Sequence, residues 1–186
     1  MSKLVIVFPG VGYTCDKPLL YFSRKIAKDL GYEEICVEYG ELPKNIKGDI
    51  DKMKQALLMA YEHVTKALED VDYSIYDEVL IIGKSIGSVV ATKYHEEHCK
   101  EARLVLYTPV EATFKFKIND GVAFIGDSDS WSNLDTVKEL AEKAEVPLHI
   151  YADCNHSLEV SGDYARNIEI LAEVMDLTYK YIKNYD

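Results

Sequence analysis

Two hydrophobic rhythms alternate from one end of the chain to the other. Short, nearly continuous apolar runs occur at Leu4 to Phe8, Glu34 to Tyr39, Glu78 to Ile82, Arg103 to Thr108, Val122 to Ile125 and Leu148 to Ala152. Between them lie longer stretches in which apolar residues return at every third or fourth position. The first rhythm suits strands covered by helices on both faces, and the second suits the covering helices. Their alternation predicts βαβ units and a mainly parallel, six-stranded sheet.

The helical stretches carry their own punctuation. Asp16 is placed to cap, and Pro18 to open, a helix that runs to Leu30 and stops at Gly31. A second begins near Asp49 or Asp51, with Ile50, Met53, Leu57, Ala60, Tyr61, Val64 and Leu68 on one face. A third starts just after Ser85 and reaches about His98. Asn133 caps a fourth, with Leu134, Val137, Leu140, Ala141 and Ala144 as its stripe and Pro147 beyond its end. The last spans about Ser161 to Tyr181, with Ile168, Leu171, Met175, Tyr179 and Ile182 at helical spacing. From Pro109 to Gly121, Phe114, Phe116 and Ile118 alternate with Lys115 and Lys117, which reads equally as a short extra strand or a loop. No linker or repeat interrupts the pattern, so residues 1–186 read as one domain.

Charge removes whole classes of partner. Of the 186 residues 21 are Lys or Arg and 32 are Asp or Glu, a formal net charge of −11. With no basic run longer than a pair, the chain lacks the cations that displace counterions from phosphate backbones, so neither nucleic acid nor an anionic membrane is an expected partner. The amino-terminal apolar run ends at Pro9 and Gly10, too soon for a signal peptide or a membrane span, and the expected location is the cytoplasm. The four cysteines (Cys15, Cys36, Cys99, Cys154) are far apart and form no Cys-x-x-Cys pair. They read as free thiols, and neither metal nor cofactor is expected.

One constellation carries chemistry. Gly83-Lys84-Ser85-Ile86-Gly87 follows an apolar strand and precedes an apolar helix. Small residues flanking a serine on such a turn relieve collisions with neighbouring backbone, expose the hydroxyl and bring helix amino-terminal N–H groups to the same point. A serine needs a base. His63, His95 and His98 fall within helices, and His149 within the last strand. Only His156, in Asp153-Cys154-Asn155-His156-Ser157, lies in a loop beyond a strand's carboxyl end. The carboxylate should come from Gly126-Asp127-Ser128-Asp129-Ser130-Trp131. Asp129 is preferred because it is farther from the strand, where the loop can turn back, while Asp127 remains the alternative, with a turn-bracing role if it is not the acid. Ser85 as a simple helix cap, and Cys15 or Cys154 as nucleophile, are the competing readings of these residues.

The order Ser85, Asp129, His156, each after a successive strand, resembles the α/β-hydrolase superfamily over the whole chain. The Gly-x-x-Asp loop Gly126 to Asp129 matches the pattern that family members often show before the histidine strand. The resemblance implies a three-layer α/β/α sandwich with about six parallel strands in the order 2-1-3-4-5-6. It lacks the two leading strands of the family's usual eight and any cap, since only a short segment separates Thr108 from Val122. It further implies a serine hydrolase acting on a small carboxylic ester or thioester, with backbone N–H groups of Val11 and Ile86 as the oxyanion hole. Pro9 stands where the family often has histidine. Tyr13 and Trp131 flank the proposed loops and are candidates to line an acyl pocket. Two other readings compete: a binding protein on the same fold without turnover, and a dinucleotide site built from Gly10, Gly12 and Glu38, although the third glycine of that motif is absent. Gly83-Lys84-Ser85 also mimics the end of a phosphate-binding loop, but Glu78 stands where that motif needs glycine.

Overall fold

The structure is a computed structural model and describes residues 1–184. Six strands, β1 (Lys3–Phe8), β2 (Tyr32–Cys36), β3 (Glu78–Lys84), β4 (Arg103–Tyr107), β5 (Gly121–Gly126) and β6 (Leu148–Tyr151), form one sheet in the order β2-β1-β3-β4-β5-β6. Every adjacent pair is parallel, with Val7 beside both Cys36 and Ile82, and Ile81 beside Leu104. The central strands are apolar throughout because alternate side chains enter different cores. Leu4, Ile6 and Phe8 of β1 enter one core, while Val5 and Val7 enter the other.

Five helices cover the sheet: α1 (Pro18–Asp29), α2 (Ile50–Ala67), α3 (Ile86–His98), α4 (Leu134–Lys143) and α5 (Tyr164–Lys183). α2 and α3 bury Ala60, Val64, Val90, Ala91 and Tyr94 against one face. The opposite face is covered by α1 and α5, through Leu19, Leu20, Ala27, Ile170 and Val174. Within that second core, the Tyr107 hydroxyl bonds those of Ser23 and Thr178, each at 2.7 Å. No helix among the described residues is long and apolar enough to cross a membrane.

Several boundaries differ from the sequence expectation. β2 begins at Tyr32 and ends at Cys36; Val37 and Tyr39 are apolar because they are buried beyond the strand, not within it. Asp16 does not cap α1, whose N-cap is Lys17; its carboxylate instead receives Arg24. Asp49 caps α2 by accepting the Lys52 N–H, and Asp163 caps α5 by accepting the Arg166 N–H. The buried stripe of α5 is Ile170, Val174, Thr178 and Ile182, whereas Ile168 and Tyr179 face outward. The segment between β4 and β5 forms no strand; it is a loop that carries one 3-10 turn, Glu111–Lys115.

Candidate active site

Parallel strands place the loops that follow them on one edge of the sheet. There Ser85 N–H donates to Tyr107 O, Thr108 N–H to Phe124 O and Asp127 N–H to Tyr151 O, continuing the ladder past β3, β4 and β5. Ser85 sits between β3 and α3 with φ 58° and ψ −125°, a conformation disfavoured for a residue with a Cβ. The flanking glycines make this turn possible. A Cβ on Gly87 would lie 2.2 Å from Phe8 O and 2.3 Å from Pro9 O, and one on Gly83 would lie 2.8 Å from Ser88 Cα. Although Ser85 is the N-cap residue of α3, its side chain makes no capping bond.

The hydroxyl is committed elsewhere. Ser85 Oγ lies 2.7 Å from His156 Nε2, and His156 Nδ1 lies 2.6 Å from Asp129 Oδ2. A carboxylate only accepts, so Nδ1–H is the donor to Asp129; the neutral ring then offers Nε2 as acceptor to the Ser85 hydroxyl. The second carboxylate oxygen, Oδ1, accepts the Trp131 N–H at 2.9 Å, and the Asp129 side chain is 1 % exposed. The Trp131 indole stacks on the imidazole, with centroids 5.2 Å apart and planes 22° apart. The two loops approach closely enough that a Cβ on Gly126 would lie 2.1 Å from Cys154 O. Asp127 stays outside the chain of bonds: it is exposed and accepts the Asp153 N–H at 2.7 Å, bracing the turn.

Of the remaining histidines, His63 is exposed on α2 and the other three are engaged elsewhere. His98 stacks on Tyr94, His149 stacks on Phe124, and buried His95 approaches Lys117 O through Nδ1. Neither candidate thiol reaches the serine's position. Cys154 is fully buried, which raises its pKa, and Cys15 lines a different groove.

Burial is the largest influence on His156 and lowers its pKa below the ordinary value. The hydrogen bond and charge of Asp129 oppose this, while the charges of Lys84 and Lys47 reinforce it. The imidazole is therefore neutral near pH 7. Lys84, the residue before the serine, was not singled out in the sequence for any role at this site. It is 3 % exposed, its Nζ lies 4.6 Å above the Tyr13 ring, and burial brings its pKa down to about 7 against the raising charges of Asp129 and Glu159. Only its place at the carboxyl end of a central strand, where a side chain has no water to reach, hinted at this.

Ser85 and His156 open into a cavity of about 290 Å³ whose walls are mainly apolar: Ile46, Ile50, Met53 and Leu57 on one side, Val110 and Ala112 on another, and Trp131 at the rim. Val11 and Ile86 also line it. As the first residue of α3, Ile86 has a backbone N–H without an intrahelical acceptor. In the turn after β1, Gly10 and Tyr13 bond to each other through both backbone groups, which leaves the Val11 N–H outside that pair. Beside Trp131, Lys47 donates to Ser130 Oγ at 2.7 Å, with its Nζ 5.3 Å from the Trp131 ring. Trp131 lines the cavity. Tyr13 is not among the residues lining it: it is buried beneath Lys84, and its hydroxyl accepts the Leu19 N–H at 3.1 Å. Ile46 was missed, and Ile50 and Met53 were read as core, because an apolar pocket wall and a core stripe have the same spacing.

Glu38 lines a separate groove with Gly10 and Gly12. Helix α1, however, begins only at Pro18, so the glycine turn does not open directly into a helix as a dinucleotide-binding loop does. Among the described residues no group of three or more His, Cys, Asp or Glu side chains is arranged to hold a metal ion.

No family model and no curated protein sequence matches the chain. Solved structures do. An α-β serine hydrolase homologue from Coxiella burnetii superposes with a TM-score of 0.70 at 17 % identity, over 96 % of this chain and 84 % of that one. An esterase from Pyrococcus furiosus gives 0.66 at 15 % identity, over 98 % and 83 %. A Xanthomonas campestris protein described as an α/β serine hydrolase without a lid gives 0.62 at 13 %, over 99 % and 82 %. With its strand order and these structural likenesses, the chain has the α/β-hydrolase fold, in a six-stranded form with a single 3-10 turn between β4 and β5.

Proposed function

We propose that the protein is a serine hydrolase that cleaves a small carboxylic ester or thioester through an acyl-enzyme. The observation that carries this reading is the unbroken chain Asp129–His156–Ser85, at 2.6 and 2.7 Å, ending on a serine held at φ 58°. Such a turn is strained, and the hydrogen bond that its hydroxyl makes serves a base rather than a helix cap.

In this reading Ser85 Oγ attacks the acyl carbon while its proton passes to His156 Nε2. The carbonyl electron pair moves onto oxygen, where the N–H groups of Val11 and Ile86 and the amino terminus of α3 receive the charge. Collapse breaks the ester or thioester bond, and the leaving alcohol or thiol takes the proton from His156. Water then repeats the sequence on the acyl-serine and releases the acid. Asp129 holds Nδ1–H and supports the imidazolium. A mainly apolar cavity of about 290 Å³ is at the small end of ligand sites, roughly 300–1,000 Å³, which favours short or flexible acyl groups.

The test is steady-state hydrolysis of nitrophenyl esters of graded acyl length by the wild-type protein and by Ser85→Ala. Turnover that is highest for short chains and lost in the variant supports the reading. An equal rate in Ser85→Ala removes the serine from the chemistry, and the absence of hydrolysis for every chain length favours a binding role.

A further inference from the structure

Cys15 and Cys36 are distant in sequence but meet at the edge of the sheet. Cys36 is the last residue of β2, in register with Val7 of β1, and Cys15 lies in the loop that leaves β1. Both thiols are half-buried, both pack against the same hydrophobic cluster, and both line a groove of about 650 Å³ open to solvent. Each thiol is the other's strongest electrostatic influence. Cys99 and Cys154, by contrast, are buried in different cores.

Arg24 shares the groove wall. Its Nη1 donates to Cys15 O at 3.0 Å and its Nη2 to Glu34 at 2.7 Å, while its buried Nε has no hydrogen-bond partner. Interaction with the Cys15 thiol is the main influence lowering the Cys36 pKa, and the Arg24 charge adds to it against burial. Cys15 is driven up. One sulfur therefore ionises first and the other holds the proton, which is the division of labour that starts and completes thiol–disulfide exchange.

We propose that Cys15 and Cys36 form a redox-sensitive dithiol, which a low-molecular-weight disulfide converts to an intramolecular disulfide that restrains the loop carrying Val11. The Cys36 thiolate attacks one sulfur of the small disulfide, forming a mixed disulfide and expelling a thiolate. The Cys15 sulfur then attacks the Cys36 sulfur and expels the second small thiolate. The Cys15 proton and one from solvent convert both leaving groups to thiols. The protein loses two hydrogens, and the small disulfide is reduced to two thiols.

A disulfide bond is about 2.05 Å long, shorter than any non-bonded separation of two sulfurs. Closing it draws the loop toward β2, away from Ser85, and Val11 lies in that same loop. The thiol chemistry stands apart from the hydrolase reading, whereas the effect on turnover rests on it. Removing one oxyanion donor costs on the order of 100-fold to 1,000-fold, so a displaced donor should lower turnover by at least about tenfold.

The experiment treats the full-length protein with oxidised glutathione and reads it by intact mass, peptide mapping and ester turnover. The expected product has lost two hydrogen masses, yields a Cys15–Cys36 linked peptide and leaves Cys99 and Cys154 reduced. Its turnover falls at least about tenfold and returns with dithiothreitol. Cys15→Ser should stop at a stable glutathione adduct on Cys36 and should not lose turnover as the wild type does. Glutathione adducts on both cysteines without a linked peptide, or no reaction at either, overturn the dithiol. A linked peptide with unchanged turnover overturns the coupling to the loop. If the untreated protein hydrolyses no ester, the hydrolase reading fails by itself, and the linked peptide still decides the dithiol.

Discussion

Asp129→Asn tests the orientation of the base, because both carboxylate oxygens face donors. Oδ2 receives His156 Nδ1–H at 2.6 Å and Oδ1 receives Trp131 N–H at 2.9 Å, in a side chain 1 % exposed. An amide has only one acceptor. If its oxygen stays with Trp131, its NH₂ faces Nδ1 and selects the tautomer with the proton on Nε2, which cannot accept from Ser85. If it flips to keep Nδ1–H, its NH₂ opposes the Trp131 N–H, leaving buried donors unpaired at about 1–3 kcal/mol. The productive tautomer is then a minor species of about one in ten to one in a hundred, since 1.36 kcal/mol is a factor of ten. Loss of the carboxylate charge beside the imidazolium adds to this, for a total approaching the roughly 10⁴-fold that the same exchange costs in serine proteases. Asp127→Asn, in an exposed brace, should cost less than about tenfold. Both are read by turnover of a short-chain nitrophenyl ester, with circular dichroism to confirm folding. Activity of Asp129→Asn within tenfold of wild type, or a larger loss for Asp127→Asn, would refute this reasoning.

Three further outcomes follow from the structure. Turnover should rise with pH as His156 loses its proton, with a midpoint below the free histidine value of about 6.5, because burial lowers it. Lys84→Met removes a charge that lowers the His156 pKa and should move that midpoint up; a profile flat from about pH 5 to 9 would contradict the role of the base. Gly87→Ala sets a methyl against Phe8 O and Pro9 O and should destabilise the fold by about 1–3 kcal/mol in urea denaturation, an unchanged midpoint counting against the close approach. Tyr107→Phe removes the hydroxyl shared by Ser23 and Thr178 and should cost about 1–3 kcal/mol by the same measurement, whereas a neutral change would mean that the two remaining hydroxyls re-pair.

Strand order and the meeting of Ser85, Asp129 and His156 were legible because topology alone brings the three loops to one edge. What escaped was decided by tertiary partners. Thr178 turns inward on α5 because Tyr107 offers it a hydroxyl, so Ile168 and Tyr179 face outward despite their apolarity. Val37 and Tyr39 extend the apolar run of β2 past its last residue because the chain beyond Cys36 still covers a core. Ile50 and Met53 look like core but face a cavity. Tyr13 is drawn beneath Lys84 rather than toward the pocket, and no local pattern marks that contact.

The most direct measurement is the labelling of Ser85 by a fluorophosphonate, which forms a stable phosphorus–oxygen bond only with an activated serine and needs no knowledge of the natural substrate. Peptide mapping should place one adduct on Ser85 in the wild-type protein, with none in Ser85→Ala and labelling slowed by at least about a hundredfold in His156→Ala. A wild-type protein that resists the probe, or an adduct carried by a residue other than Ser85, would contradict a nucleophilic Ser85 supported by His156 and Asp129.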